Sequence, residues 1–317
     1  MKNILIVFSF LLLATTVFSQ KSDTVVVGEN TIVYTYHISP GDSLRESGNI
    51  KAAIEYYKSQ GLKPGDDFSE LYNYAAALSI DYQIDSAFKY LQFAMLQDTS
   101  PAPFCNPDFL NLRKGELWAG FETNLIALIQ KKFNTPYKDV DYAKRLWYME
   151  ATDQAYYDCI NLADSKTGKN STVVRALWTL KEKLNDENQK ELVQLIETKG
   201  WPKKSVVGQR ASGAAFLVIQ HSDADKQKKY LPIIEKLCKE REASWESYAL
   251  MYDRIQTSDN KPQKYGSQVR YNAQTNTYEL FPLLDETKVD EWRKEVGLGS
   301  LAEYVANWNI KFEPKKK

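Results

Sequence analysis

Gly48-Asn49-Ile50-Lys51-Ala52-Ala53-Ile54-Glu55-Tyr56-Tyr57 and Tyr82-Gln83-Ile84-Asp85-Ser86-Ala87-Phe88-Lys89-Tyr90-Leu91 carry one pattern twice. Ile50 falls on Ile84, Ala53 on Ala87 and Tyr57 on Leu91, an offset of 34 residues. In both stretches apolar residues recur three and four positions apart, the spacing of a helix with one apolar face. A helix repeated at a fixed period points to stacked helix pairs, each covering the apolar face of the next. The small Ala53 and Ala87 let the two helices of a pair approach closely. In the second unit Leu71, Tyr74, Ala75 and Leu78 supply the first helix, and Ala87, Leu91 and Ala94 the second.

This pattern resembles a tetratricopeptide repeat at Tyr74, Ala75, Leu78, Ala87 and Ala94. It departs from the repeat where Pro40 and Gly41 cut short the first helix of the first unit, and in lacking the usual proline after the second unit. One full and one partial repeat fall short of the about three needed for independent stability. Pro107 to Leu112 and a helix near Glu116 to Lys131 are the expected cap. The resemblance implies a protein or peptide ligand held by the repeats. A stack this short equally suits a brace for the rest of the chain.

At the start, Lys2 precedes an apolar run from Ile4 to Leu13, and Val17 and Ser19 stand before Gln20. A positive start, an apolar core of roughly 7–15 residues and small residues at the cut describe a secretory signal peptide. The expectation is a signal over residues 1–19 and a secreted or periplasmic product. The run is shorter than the about 20 apolar residues that span a bilayer, and no later stretch is longer, so no membrane span is expected after cleavage. Residues 20–37, rich in β-formers around Gly28-Glu29-Asn30, are expected as a short β or extended segment, and 38–133 as the helical-repeat region.

Forty-one basic residues balance 41 acidic ones. That balance argues against a nucleic-acid or anionic-membrane footprint, and the closing Lys315-Lys316-Lys317 reads as part of a frayed tail over 311–317. Cys105, Cys159 and Cys238 are an odd number and do not form a disulfide framework. One bridge with a free thiol and three buried thiols both remain open. The sequence shows no phosphate loop, no dinucleotide fingerprint and no zinc-ligand spacing, so no cofactor and no metal are expected.

A boundary is expected at Phe133-Asn134-Thr135-Pro136-Tyr137, because a proline biases the residue before it out of the helical region. Beyond it lies a helical domain over 138–310. Tyr142 to Leu162 reads as one helix, and Asn170-Ser171 cap another that carries Val174, Leu177, Leu180 and Leu184. Asp186 and Gln189 have capping-box spacing for a further start. Gly200 suits a left-handed stop. Val207 to His221 reads as a central buried helix, with Lys226–Lys239 and Ala243–Ile255 over it. Gln268–Tyr271 and Thr277–Phe281 suggest a hairpin, and Val289–Val296 and Leu301–Trp308 short closing helices, the first stopped by Gly297. The fold class is therefore mainly α: a tetratricopeptide-like stack followed by a helical domain with a small β-hairpin.

Within that domain Asp153-Gln154, Gly200-Trp201-Pro202, Val207-Gly208, Gln220-His221-Ser222-Asp223, Asp253-Arg254, Pro262-Gln263-Lys264-Tyr265-Gly266-Ser267-Gln268 and Val296-Gly297-Leu298 occur in order. The series resembles a bacterial exported domain of unknown function that reads D-Q, G-W-P, V-G, Q-H-x-D, D-R, P-Q-x-Y-G-T-Q and V-G-L. Ser267 stands where threonine is commoner and keeps the hydroxyl. The resemblance implies a bacterial envelope origin and no particular reaction.

The residues leave two readings of His221, Asp253, Arg254, Tyr265 and Gln268. As a hydrolase-like site, His221 is a general base, Arg254 binds a carboxylate or phosphate, and Tyr265 and Gln268 line the cleft. As scaffold, His221 ends its helix, Asp223 and Asp225 cap the next, Asp253 and Arg254 pair internally, and Gly266 supplies a turn. No nucleophile elbow supports the enzyme, so a protein- or peptide-binding module leads and the hydrolase is the alternative.

Overall fold

The first described elements are two strands, β1 (Lys21–Val27) and β2 (Asn30–Tyr36), which pair antiparallel with Val27 opposite Asn30. The computed structural model describes residues 21–27, 30–36, 39–272 and 274–313. The expected signal peptide, the Gly28-Glu29 turn and the final lysines lie outside these residues.

Four helices follow: α1 (Pro40–Glu46), α2 (Ile50–Ser59), α3 (Phe68–Ile80) and α4 (Ile84–Met95). Ser39 caps α1 and Asp67 caps α3 by accepting from backbone N–H groups in the first turn. The second helices, α2 and α4, start 34 residues apart at Ile50 and Ile84, and the turns before them are alike. Gly48 and Tyr82 both take the left-handed conformation, with φ 80° and 59°. The next residue in each case closes the turn, Asn49 N donating to Leu44 O at 2.8 Å and Gln83 N to Leu78 O at 2.9 Å. This six-to-one bond is a Schellman stop, which satisfies carbonyls left open at a helix end. Ala53 and Ala87 are fully buried, and Tyr57 of α2 stacks on Tyr74 of α3 at 5.3 Å between centroids.

The chain continues through α5 (Ala102–Cys105), two single 3-10 turns at Pro107–Phe109 and Leu112–Lys114, and α6 (Leu117–Phe133). Asn134 stops α6 in the left-handed region, and Thr135 N reaches back to Gln130 O. Phe104 of α5 lies fully buried 5.0 Å from the ring of Trp147.

Three helix expectations need correction. Tyr142–Leu162 is two helices, α7 (Val140–Gln154) and α8 (Tyr157–Thr167), because Tyr156 turns left-handed at φ 72°. The supposed start at Asp186–Gln189 lies inside a single 28-residue helix, α9 (Thr172–Lys199), and Gln189 is buried. On α9 Val174 is buried and Leu177 and Leu184 half-buried, as expected, but Leu180 is 47% exposed and Lys181 takes the covered position beside it. Val207–His221 is broken at Gly208 (φ 82°) into α10 (Lys204–Val207) and α11 (Gln209–Gln220). Gly208 is thus the C-cap of α10 and the N-cap of α11.

Beyond these come α12 (Ala224–Lys239), α13 (Trp245–Ser258), a hairpin of β3 (Val269–Asn272) with β4 (Thr277–Leu280), α14 (Val289–Glu295) and α15 (Leu301–Ala306). Gly200 and Gly297 have φ 78° and 84°, as their places at helix ends require. The molecule is mainly α-helical with a small hairpin near its C-terminus. It divides within α9 into two compact units, one running to Glu191 and one from Leu192. No helix among the described residues is long and apolar enough to cross a membrane. All three cysteines are unbridged, with Cys105 and Cys238 buried and Cys159 exposed, so neither of the two arrangements left open, one bridge or three buried thiols, is the one found.

The repeated turn yields a test. A Cβ at Gly48 would sit 2.5 Å from Leu162 Cδ2 on a left-handed backbone, whereas Tyr82 is 70% exposed. Gly48→Ala should lower unfolding stability by about 1–3 kcal/mol, and Tyr82→Gly should leave it unchanged or slightly raised. Urea unfolding of both variants reads the contrast.

Candidate functional site

Asp253 is fully buried on α13, and its carboxylate faces a loop that the sequence Lys264-Tyr265-Gly266-Ser267 makes. Oδ1 accepts from the backbone N–H of Lys264 at 2.8 Å and Tyr265 at 3.0 Å. Oδ2 accepts from Tyr265 at 3.1 Å and Ser267 at 2.9 Å. Burial pushes the Asp253 carboxyl above its ordinary range, and these N–H donors pull against that shift. Gly266 permits the wrap: its φ is 67°, and a Cβ there would meet Leu301 Cδ1 at 2.7 Å.

Amides close the loop on either side. Gln263 is fully buried; its Nε2 donates to the carbonyls of Gln268 and Phe281, both at 3.0 Å, and its Oε1 accepts from Gln268 N at 2.8 Å. The Gln268 side chain donates to Ser267 Oγ at 3.0 Å. Tyr265 is buried, which pushes its phenol above the ordinary tyrosine value, and its ring stands edge-on to Tyr252 at 5.9 Å.

Arg254 follows Asp253 by one position, so it leaves α13 in another direction. Its Nη1 donates to the carbonyl of Gln220 at 2.8 Å, at the end of α11. Gln227 donates to the same carbonyl at 3.0 Å and to that of Ser222 at 2.9 Å. His221 is the C-cap of α11, with its N–H on Leu217 O at 3.1 Å. Asp223 caps α12 by accepting from Lys226 N at 2.9 Å. The five named residues thus join two hydrogen-bonded centres. Asp253, Tyr265 and Gln268 organise the loop, while Arg254 meets the α11 end that His221 caps.

Two cations escaped the sequence reading. Arg293 on α14 is 2% exposed; its Nη1 donates to Tyr265 O at 2.7 Å and its Nε to Gly299 O at 2.6 Å. Its guanidinium lies 4.8 Å from the Tyr304 ring, whose hydroxyl donates to Ser267 O at 2.9 Å. Burial lowers the Arg293 pKa. The signal available was its place just before Val296-Gly297-Leu298. Lys181 on α9, in the other compact unit, is 1% exposed; its ammonium donates to the carbonyl of Asp153 and to Asn185 Oδ1 at 3.0 Å, and lies 4.2 Å from the Tyr157 ring. Burial lowers its pKa against the pull of Asp153. Beside it Thr152 Oγ1 meets Asn188 Oδ1 at 3.0 Å. Among the described residues no group of three or more His, Cys, Asp and Glu is placed to hold a metal ion.

These features define a helical protein in which Asp253, Arg254, Arg293 and Lys181 each lie buried against backbone groups of the chain itself. More particularly, the chain belongs to a family of unknown function, DUF6624, which it matches over residues 140–315. The match begins at the first residue of α7. No curated protein and no solved structure matches the chain.

Two variants test the charges. Asp253→Asn replaces one acceptor oxygen by an NH2 facing backbone donors, and should cost about 2–4 kcal/mol by urea unfolding. Burial lowers the Lys181 pKa in the folded state, so on raising the pH the folded chain gives up this proton before the unfolded chain does. Stability should therefore rise with pH below the ordinary lysine value of about 10.4. Lys181→Met should lack that contribution, so the wild-type-minus-variant difference should grow with pH over that window.

Proposed function

We propose that this chain is an exported bacterial envelope protein, secreted or periplasmic after cleavage at Ser19–Gln20, that binds or scaffolds a protein or peptide segment through α1–α4. The observation carrying this reading is the recurrence, 34 residues apart, of one left-handed turn with one hydrogen-bond pattern. Stacked helix pairs of this kind present side chains from their first helices to an extended segment.

The hydrolase-like alternative around His221, Asp253, Arg254 and Tyr265 has weaker support. Both oxygens of Asp253 accept from backbone N–H groups, and Tyr265 is buried. In that reading His221 is the general base and a carboxylate orients it, but His221 stands as the C-cap of α11 while the Asp253 carboxylate is engaged by the N–H groups of its own loop.

The deciding experiment is chemical crosslinking of the mature protein in envelope extract, followed by mass spectrometry. The expected outcome is a recurrent partner whose crosslinks fall within residues 39–133. No recurrent partner, or crosslinks confined to residues beyond 140, would remove the reading.

A further inference from the structure

The first helices of the two pairs, α1 and α3, already hold a segment of the chain itself. Residues 106–111 lie against them through groups that read side chains as well as backbone. From α1, Arg45 Nη1 donates to Asp108 Oδ2 at 2.8 Å. From α3, Ser79 Oγ donates to the Asp108 carbonyl at 2.6 Å, and the Ser79 carbonyl accepts from Asn111 Nδ2 at 3.2 Å. Two turns earlier on α3, the Tyr72 hydroxyl accepts from Asn106 Nδ2 at 3.2 Å, and the Tyr72 ring meets Phe109 edge-on at 5.1 Å.

The spacing on the two sides matches. Tyr72 and Ser79 share a face of α3 and lie about 10 Å apart along it. The segment contains a 3-10 turn, in which residues three apart lie on one side. Asn106 and Phe109 accordingly meet Tyr72, and Asp108 and Asn111 meet Ser79. Phe109 is fully buried by the arrangement. A carboxylate on an arginine, a ring on a tyrosine and amides on helix groups are the kinds of contact by which a helical groove recognises a peptide.

We propose that the α1–α3 face is a peptide-recognition face held occupied in cis by residues 106–111, and that a partner gains it by presenting the same chemistry. That chemistry is an acidic side chain for Arg45 followed by an aromatic ring for Tyr72. The inference rests on the binding reading above and adds its regulation: the site is closed until the internal segment is displaced.

The probe is a synthetic peptide of the chain's own sequence from Asn106 to Leu112, added to the intact mature protein. In the wild type, excess peptide should speed hydrogen exchange at the amides of Asp108 to Leu110, while a peptide carrying Asp→Ala and Phe→Ala at positions 108 and 109 should not. Asp108→Asn in the protein removes the ion pair with Arg45 and keeps the shape, so the labelled peptide should bind this variant about tenfold more tightly than the wild type. Unchanged exchange in the wild type at saturating peptide, or equal acceleration by both peptides, would overturn the proposal. So would equal affinity of wild type and Asp108→Asn. The peptide assay needs no natural partner. Displacement without a crosslinked envelope partner would sink the functional reading and leave the cis occupancy standing; a crosslinked partner without displacement would do the reverse.

Discussion

A charge taken out of water must be answered by dipoles or by an opposite charge, and in this protein backbone groups answer Asp253 and Arg293 and share the answering of Lys181. Asp253 gathers the N–H groups of Lys264, Tyr265 and Ser267. Arg293 and Lys181 do the converse, gathering carbonyls from Tyr265, Gly299 and Asp153. An isolated buried ion costs many kcal/mol, and several short hydrogen bonds to one group offset that cost while fixing the conformation of the segment that supplies them. The loop at 263–268 is shaped in this way. Three of its N–H groups converge on Asp253, and its carbonyls are taken by Arg293, Tyr304 and Gln263, while the Tyr265 ring packs into an apolar cluster with Ala249 and Val296.

Such a device explains why some of the chain was legible and some was not. Helix starts and stops marked by local chemistry were readable: Ser171 and Asp223 as caps, Gly200 and Gly297 as left-handed stops. Breaks imposed from elsewhere in the fold were not. Nothing in the local pattern of Tyr142–Leu162 announces that Tyr156 turns left-handed, since tyrosine has no preference for that region. Gly208 was visible as a glycine, but the apolar run around it outweighed the signal. Asp186 and Gln189 imitate a helix start because the residue types of a capping box also occur within a helix, where Asp186 is exposed and Gln189 buried.

The charged residues of the loop divide the same way. Asp253 and Arg254 stood out as a pair, and an internal pairing of the two was a natural reading. The structure sends them to different partners, Asp253 to backbone N–H groups and Arg254 to a helix-end carbonyl. Arg293 and Lys181 carry no local mark of burial, because a lone basic residue on a helix usually faces water. Only the fold shows that the face on which Lys181 lies is the covered one, while its neighbour Leu180 points outward.

The paired turns before α2 and α4 also differ in what they tolerate. What the two copies share is a pattern of backbone bonds, which any residue able to enter the left-handed region can support. In the first copy Leu162 fills the space beside Gly48, and that position is closed to other residues. In the second the side chain of Tyr82 stands in solvent, and only a modest conformational strain bears on what occupies it. The two turns are thus alike in backbone and unlike in tolerance. A pattern carried by backbone bonds accepts unlike residues wherever no neighbour packs on the turn.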